Sequence, residues 1–165
     1  MPSRALAEAL AAEWRAQGDE IDPNGFALRD LADYAIDRVV PDPPAAAARL
    51  LPYADTDTLC YRADPDEPLY RRQQDLWEPL VQAFEARHGI RLERISGIVH
   101  RPQPPESLAR LRAVLATLDP FTLAALETLT RIAAALAIGL LAREPDADAE
   151  ALFAAANCEQ DWQAE

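Results

Sequence analysis

The sequence predicts a mainly α protein, a compact multi-helix orthogonal bundle with one short two-stranded β element, and three observations point there. Half of the 165 residues are apolar yet only 7% are aromatic, and about a fifth are alanine, the strongest helix former. Apolar residues recur every three or four positions along most of the chain. Ser or Asp starts and Gly or Pro stops fall at the ends of those runs. A chain of this length buries roughly 70% of the surface it exposes when unfolded, so one domain is expected.

Ser3 suits the N-cap of a first helix over Arg4 to Gln17, which Gly18 ends. Leu6, Leu10 and Trp14 form its apolar stripe. Leu28, Leu31, Ala35, Ile36 and Val39 mark a second helix, stopped by Pro41. Asp42 and Pro43 then read as cap and first turn of a third, short helix through Leu51. Thr56 to Arg62 reads as a short strand, because Thr58 and Tyr61 favour extended backbone. From Pro68 to His88 the spacing of Leu69, Leu76, Trp77, Leu80, Val81 and Phe84 is helical, Gly89 closes the run, and Pro79 predicts a kink near Asp75. Ile90 and Leu92 alternate with Arg91 and Glu93 as in a half-buried strand, interrupted by Gly97 before Ile98 and Val99. Pro102, Pro104 and Pro105 stiffen the next connection. A helix through Leu108, Leu111, Leu115 and Leu118 follows. Asp119 and Pro120 start the next, apolar almost all round from Phe121 to Leu141 and therefore expected to be one central buried helix. A final helix carries Leu152, Phe153 and Ala156.

Composition excludes several functions. Sixteen cations, all arginine, against 28 acids leave a formal charge of −12, which disfavours a nucleic-acid backbone or an anionic membrane as partner. The longest apolar run, Ile132 to Ala142, is too short for a bilayer that needs about 20 residues. The glycines form no phosphate loop, and without lysine there is neither a P-loop nor a Schiff-base lysine. Cys60 and Cys158 lack metal-site spacing, and His88 and His100 lack a second ligand one turn away, so neither a metal nor a cofactor is expected. Two enzymatic readings stay open: Cys60 as a nucleophile with His88 as base, and acid–base work by the carboxylates at Asp55, Asp57, Asp64, Asp66 and Glu67. A buried thiol and Asp residues capping local turns are the plainer readings of the same residues. Trp162, among Glu159, Asp161 and Glu165, is either an interaction site or a packed anchor.

Four stretches in order carry a family resemblance: Ser3-Arg4-Ala5-Leu6-Ala7 running on to Glu13-Trp14-Arg15-Ala16-Gln17-Gly18; Asp55-Thr56-Asp57-Thr58-Leu59-Cys60-Tyr61-Arg62; Trp77-Glu78-Pro79-Leu80; and Gln103-Pro104-Pro105. Together they resemble the assembly chaperones of F-type ATP synthase that handle the α subunit of the catalytic head. The resemblance implies a non-enzymatic holdase, which covers the assembly surface of unassembled α subunit until the β subunit docks. It also implies a small N-terminal β-rich domain before a helical one, and residues 1–165 correspond to the helical, C-terminal-type domain alone. Apolar surface around Leu6, Leu10 and Trp14 is then expected to be uncovered and to favour self-association. The expected setting is a bacterial cytoplasm, or alternatively a mitochondrial matrix.

The terminal motif of that family places acids before an aromatic and a glutamine, which designates Glu159, Gln160, Asp161, Trp162 and Gln163 as client-binding residues. Gln160 stands where many members carry a carboxylate, and Ala133-Ala134-Ala135 replaces a Ser-Gly-Ser stretch. The rival to this reading, besides a small Cys/Asp enzyme, is a helical interaction adaptor unrelated to ATP synthase.

Overall fold

Ser3 does cap the first helix, its hydroxyl accepting the N–H of Leu6 at 3.1 Å, in a computed structural model that describes residues 3–97 and 99–164. Ile98, beyond the Gly97 interruption, lies outside them. Helix α1 runs Arg4–Arg15 and α2 Ala27–Tyr34. The residue before α2 is Phe26, which has no capping oxygen, and α1 supplies one: Glu13 accepts the N–H groups of Leu28 at 2.7 Å and Arg29 at 2.9 Å. Trp14 packs on Phe26 with ring centroids 4.6 Å apart and stays half exposed. A wider π turn, Ala35–Val39, continues α2 and buries Ala35 and Val39.

Asp42 caps α3, accepting from Ala45 at 3.0 Å. The helix runs Pro43–Asp55, past the expected end at Leu51, with Pro52 on its exposed side. The predicted strand over Thr56 to Arg62 is mostly a 3₁₀ turn, Thr58–Cys60, and only Tyr61–Arg62 is strand β1. Helix α4 spans Pro68–His88 unbroken through Pro79, and Gly89 at φ 61° ends it in the left-handed conformation that glycine accepts without cost.

Ile90 to Glu93 keep the alternating burial expected of a strand, but they are not one. Side chains take their backbone donors: Ser107 Oγ accepts from Arg91 at 3.1 Å, Glu85 from Leu92 at 2.7 Å and Gln103 from Glu93 at 2.7 Å. The strand β2 is Ile95–Ser96, parallel to β1, with Tyr61 opposite Ile95 and Arg62 opposite Ser96.

Helices α5, Pro105–Leu115, and α6, Pro120–Ala133, follow, the latter capped by Asp119. The single helix expected over Phe121 to Leu141 is broken at Ala134, whose φ of 48° and ψ of 29° reverse the chain into α7, Leu136–Leu141. Ile132 is 75% exposed, so α6 is not apolar-buried all round, and the central position belongs to α7, with Leu136, Ala137, Ile138, Gly139 and Leu140 all buried. A Cβ on Gly139 would meet Thr130 Oγ1 at 2.6 Å and Leu126 Cδ1 at 2.8 Å, so glycine is what lets α7 fold back this closely on α6. The final helix is likewise two, α8 Ala149–Ala156 and α9 Cys158–Ala164. The core is built by Trp77, Val81 and Phe84 of α4 with Leu50, Leu111, Leu115, Leu123 and Leu126, and α7 closes it.

Candidate functional site

The residues of the Asp55 to Arg62 run work in different directions. Asp55 accepts the N–H of Gln103 at 2.8 Å and lies 3.5 Å from His100 Nε2, while the hydroxyl of Tyr61 is 2.9 Å from His100 Nδ1. Thr56 Oγ1 donates to Pro52 at the end of α3. Asp57 is buried, its two oxygens accepting from Leu59 at 3.1 Å and Ala137 at 2.8 Å. Burial pushes its carboxyl up to about 7, against the N–H groups of Ala137, Leu59 and Leu136, which favour the anion. Cys60 is fully buried, and burial, followed by the charge of Asp57, pushes its thiol far above the range in which a thiolate forms. His88 packs edge-on against Phe84 at 4.7 Å, and burial, followed by the charge of Arg87, lowers its pKa. This environment is that of a packed thiol rather than an activated nucleophile.

Arg62 is the pivot. Its buried guanidinium donates to the carbonyl of Gln73 at 2.9 Å and to Glu78 at 3.1 Å, and it stands 5.4 Å over the ring of Trp77. Glu78 is shared with Arg94 at 2.8 Å, and Arg94 reaches Glu85 at 2.5 Å. Burial works against both carboxylates, yet the hydrogen bonds from Arg94 hold Glu78 and Glu85 below the usual glutamate range. Pro79 lies inside α4 next to Glu78 and is exposed. Gln103 is buried and pairs with Glu93 on both sides, accepting from its N–H at 2.7 Å and donating to its carbonyl at 3.1 Å. Pro104 forms the cap position of α5 and accepts from Leu108 at 3.1 Å.

The terminal helix α9 meets this cluster from outside. The amide of Gln73, wholly buried on α4, accepts from Ala63 N–H at 2.7 Å and donates to Glu159 at 2.9 Å. Trp77 Nε1 donates to the carbonyl of Ala155 at 2.8 Å, fixing α8 next to it. Trp162 is half-buried, with the guanidinium of Arg72 5.9 Å from its ring centroid. Gln160, Asp161 and Gln163 are exposed. Between α4, α8 and α9 lies a cleft of about 530 Å³ lined by Pro68, Arg71, Arg72, Asp75, Leu76, Ala154 and Asp161.

Arg62 is thus linked to α9 through Gln73, and Trp77 meets α8, whereas Asp55, Tyr61 and Gln103 belong to a second group around His100. Sequence reasoning passed over Gln73 and Glu127, both buried on apolar helix faces. Glu127 receives Arg49 at 2.9 and 3.0 Å and the Tyr34 hydroxyl at 2.9 Å, and these hold it below the usual glutamate range. The available signal was a polar side chain inside an apolar stripe, Gln73 ahead of Trp77 and Val81, and Glu127 between Leu123 and Thr130. Among the described residues no three His, Cys, Asp or Glu side chains are grouped to hold a metal ion, and no helix is long and apolar enough to cross a membrane.

Comparison with known proteins gives this arrangement a family. Residues 1–85 match the family model described as ATP12 chaperone protein. The protein "Protein atp12, mitochondrial" of Schizosaccharomyces pombe is 28% identical over 132 residues, 74% of this chain and 45% of that protein. The chain therefore spans about half the length of that relative. The crystal structure of Atp12 from Paracoccus denitrificans superposes with a TM-score of 0.92 at 39% identity, covering 99% of this chain and 70% of that one. The Atu1473 protein from Agrobacterium tumefaciens superposes with a TM-score of 0.92 at 35% identity, covering 99% of this chain and 61% of that one. A family model matched over half the chain, together with superposition over nearly all of it at 39% identity, shows that the chain belongs to the ATP12 chaperone family.

Proposed function

We propose that this protein is an assembly chaperone of ATP synthase, a holdase that binds the unassembled α subunit of the catalytic head and shields its assembly surface until the β subunit docks, without catalysing a reaction. Family membership supports the chaperone role. The observation that carries the site is the two-sided character of α9: Glu159 and Trp162 face Gln73 and Arg72 of α4, while Gln160, Asp161 and Gln163 face solvent. A short helix anchored on one side presents its other side at little entropic cost, because the side chains that hold it are already ordered. The exposed edge, continued by Asp75 and Arg71 in the adjoining cleft, is the client-binding surface. The chain's charge of −12 steers it toward basic client surface, and charge-assisted hydrogen bonds from client arginines strengthen the contact.

The test is light scattering of α subunit diluted from denaturant, with and without an equimolar amount of this protein and without nucleotide. Suppressed aggregation, lost on Asp161→Arg with an unchanged melting temperature, supports the reading. Unchanged scattering with the parent protein defeats it.

A further inference from the structure

Gln73 sits on α4 with no exposure to solvent, and its terminal amide is engaged at both ends. Its Oε1 accepts the N–H of Ala63, the residue after β1, at 2.7 Å, and its Nε2 donates to Glu159 Oε1 on α9 at 2.9 Å. Only one orientation of the amide satisfies these partners. A backbone N–H can only donate and a carboxylate can only accept, so turning the amide over would set donor against donor and acceptor against acceptor in a buried place. The backbone beneath it is held as well, since the guanidinium of Arg62 donates to the carbonyl of Gln73 at 2.9 Å. The end of β1 thereby decides that α4 offers α9 a donor, and position 159 has to supply the acceptor.

Glu159 is half-buried, and Gln73 engages one of its oxygens. The other, Oε2, meets no donor among the described residues and is not enclosed, so it stays open to solvent. Arg72, beside Gln73 on α4, is engaged elsewhere: its guanidinium lies 5.9 Å from the ring centroid of Trp162 and is hydrogen-bonded to the thiol of Cys158. A carboxylate fixed through one oxygen and open at the other is an oriented acceptor that needs no further ordering when a cation arrives. A guanidinium suits it best, because its planar N–H donors form short, charge-assisted hydrogen bonds to a carboxylate.

We infer that Gln73 is the positioning residue of the α9 surface, holding Glu159 so that its open oxygen accepts from one guanidinium of the client. The inference rests on the reading of α9 as the client-binding edge and deepens it in two ways. Glu159 joins that edge as the acceptor for an arginine, and a buried glutamine that never touches the client sets where the arginine must sit.

The experiment titrates labelled α subunit with the parent protein, Glu159→Gln, Gln73→Glu and the double variant, at low and high salt and well below every melting temperature, and records thermal melts of the same four proteins. Glu159→Gln keeps an oxygen for Gln73 Nε2 and removes the charge. It melts with the parent while binding roughly fivefold more weakly and with a smaller salt dependence, as loss of a solvent-edged ion pair requires. Gln73→Glu sets two carboxylates against each other and lowers both stability and affinity. Combining Gln73→Glu with Glu159→Gln restores the hydrogen bond in the opposite sense, the amide on α9 now donating. Stability then returns toward the parent and affinity does not, because the charge has moved to a buried position; a purely structural pair would regain both together. Parent-like affinity of Glu159→Gln overturns the inference, as does recovery of affinity in the double variant, or its failure to regain any stability over Gln73→Glu. Failure of the parent protein itself to bind α subunit defeats instead the reading on which the inference rests.

Discussion

The carboxylate of Asp57 accepts the backbone N–H of Ala137 at 2.8 Å, so the acid of the Thr-Asp-Thr run caps a helix 80 residues further along the chain. Its neighbour Thr58 donates twice to the carbonyl of Ala134, from N–H at 3.2 Å and Oγ1 at 2.9 Å, holding the residue at which α6 turns into α7. The run resembling a chaperone motif is, at these two positions, the clasp on the most buried helix.

Asp57→Ala leaves the N–H groups of Leu59 and Ala137 buried without a partner, and a cost of about 2–3 kcal/mol is expected in urea unfolding. Asp57 also gives a pH signature. Its folded pKa of about 7 lies above the ordinary 3.8, so the stability it contributes is fully present below the ordinary value and is lost as pH rises through about 7. Melting temperatures of the parent protein and Asp57→Asn, measured between pH 4 and pH 8, should show the parent losing ground relative to the variant as pH rises. Parallel curves would exclude that titration.

Ala134 holds a left-handed conformation at φ 48°, a strain of about 1 kcal/mol or more for a residue with a Cβ. Ala134→Gly should raise stability by about 0.5–1 kcal/mol after the greater freedom of glycine in the unfolded chain is subtracted. Ala134→Val should lower it. Thermal melts of the two variants check the sign.

Arg62 cannot be replaced in parts. Arg62→Ala strips Glu78 of one of its two cations and leaves the carbonyl of Gln73 without its guanidinium donor, and about 3–5 kcal/mol is expected. Arg62→Lys should recover little, because one ammonium cannot span both acceptors while lying over Trp77. On the acid side, Glu78 and Glu85 have depressed pKa values, so their contribution is present above the ordinary glutamate value and lost as pH falls through the folded one. Denaturation midpoints at pH 3 to 5 should fall more steeply for the parent protein than for an Arg94→Met variant, in which those depressions are relieved.

On α9 the two kinds of position should separate in experiment. Gln160→Glu is expected to tighten α-subunit binding and Asp161→Ala to weaken it, with melting temperature unchanged in both, as both side chains are exposed. Glu159→Ala and Trp162→Ala should lower stability as well as binding, because Gln73 loses its acceptor and Arg72 its ring. Titration of labelled α subunit alongside melts of the same four variants checks it. Equal loss of stability in all four would make the helix purely structural.

The features legible in the sequence are the ones decided within a few residues. Ser3, Asp42 and Asp119 cap their helices because a side-chain oxygen needs only a backbone N–H two or three positions on. Helix α4 begins and ends where Pro68 and Gly89 predict, since a fixed φ and a positive φ are local properties. The mainly α class was readable for the same reason, from spacing and residue type, whereas the terminal cluster is designated by the family resemblance and not by any local pattern. What the tertiary structure decided are the places where a distant partner outweighs local preference. Ala134 has no intrinsic reason to break a helix, but Thr58 and Asp57, 76 and 80 residues away in their contacts, bind the carbonyl and N–H groups that the break exposes. Ile90 to Glu93 have the alternation of a strand, and Glu85, Gln103 and Ser107 take the donors a strand would need. Gln73 and Glu127 read as interruptions of an apolar stripe until Glu159, Arg49 and Tyr34 arrive to satisfy them. A one-dimensional pattern reports which residues prefer burial. Which polar group meets which across the fold depends on geometry that exists only after the helices have packed.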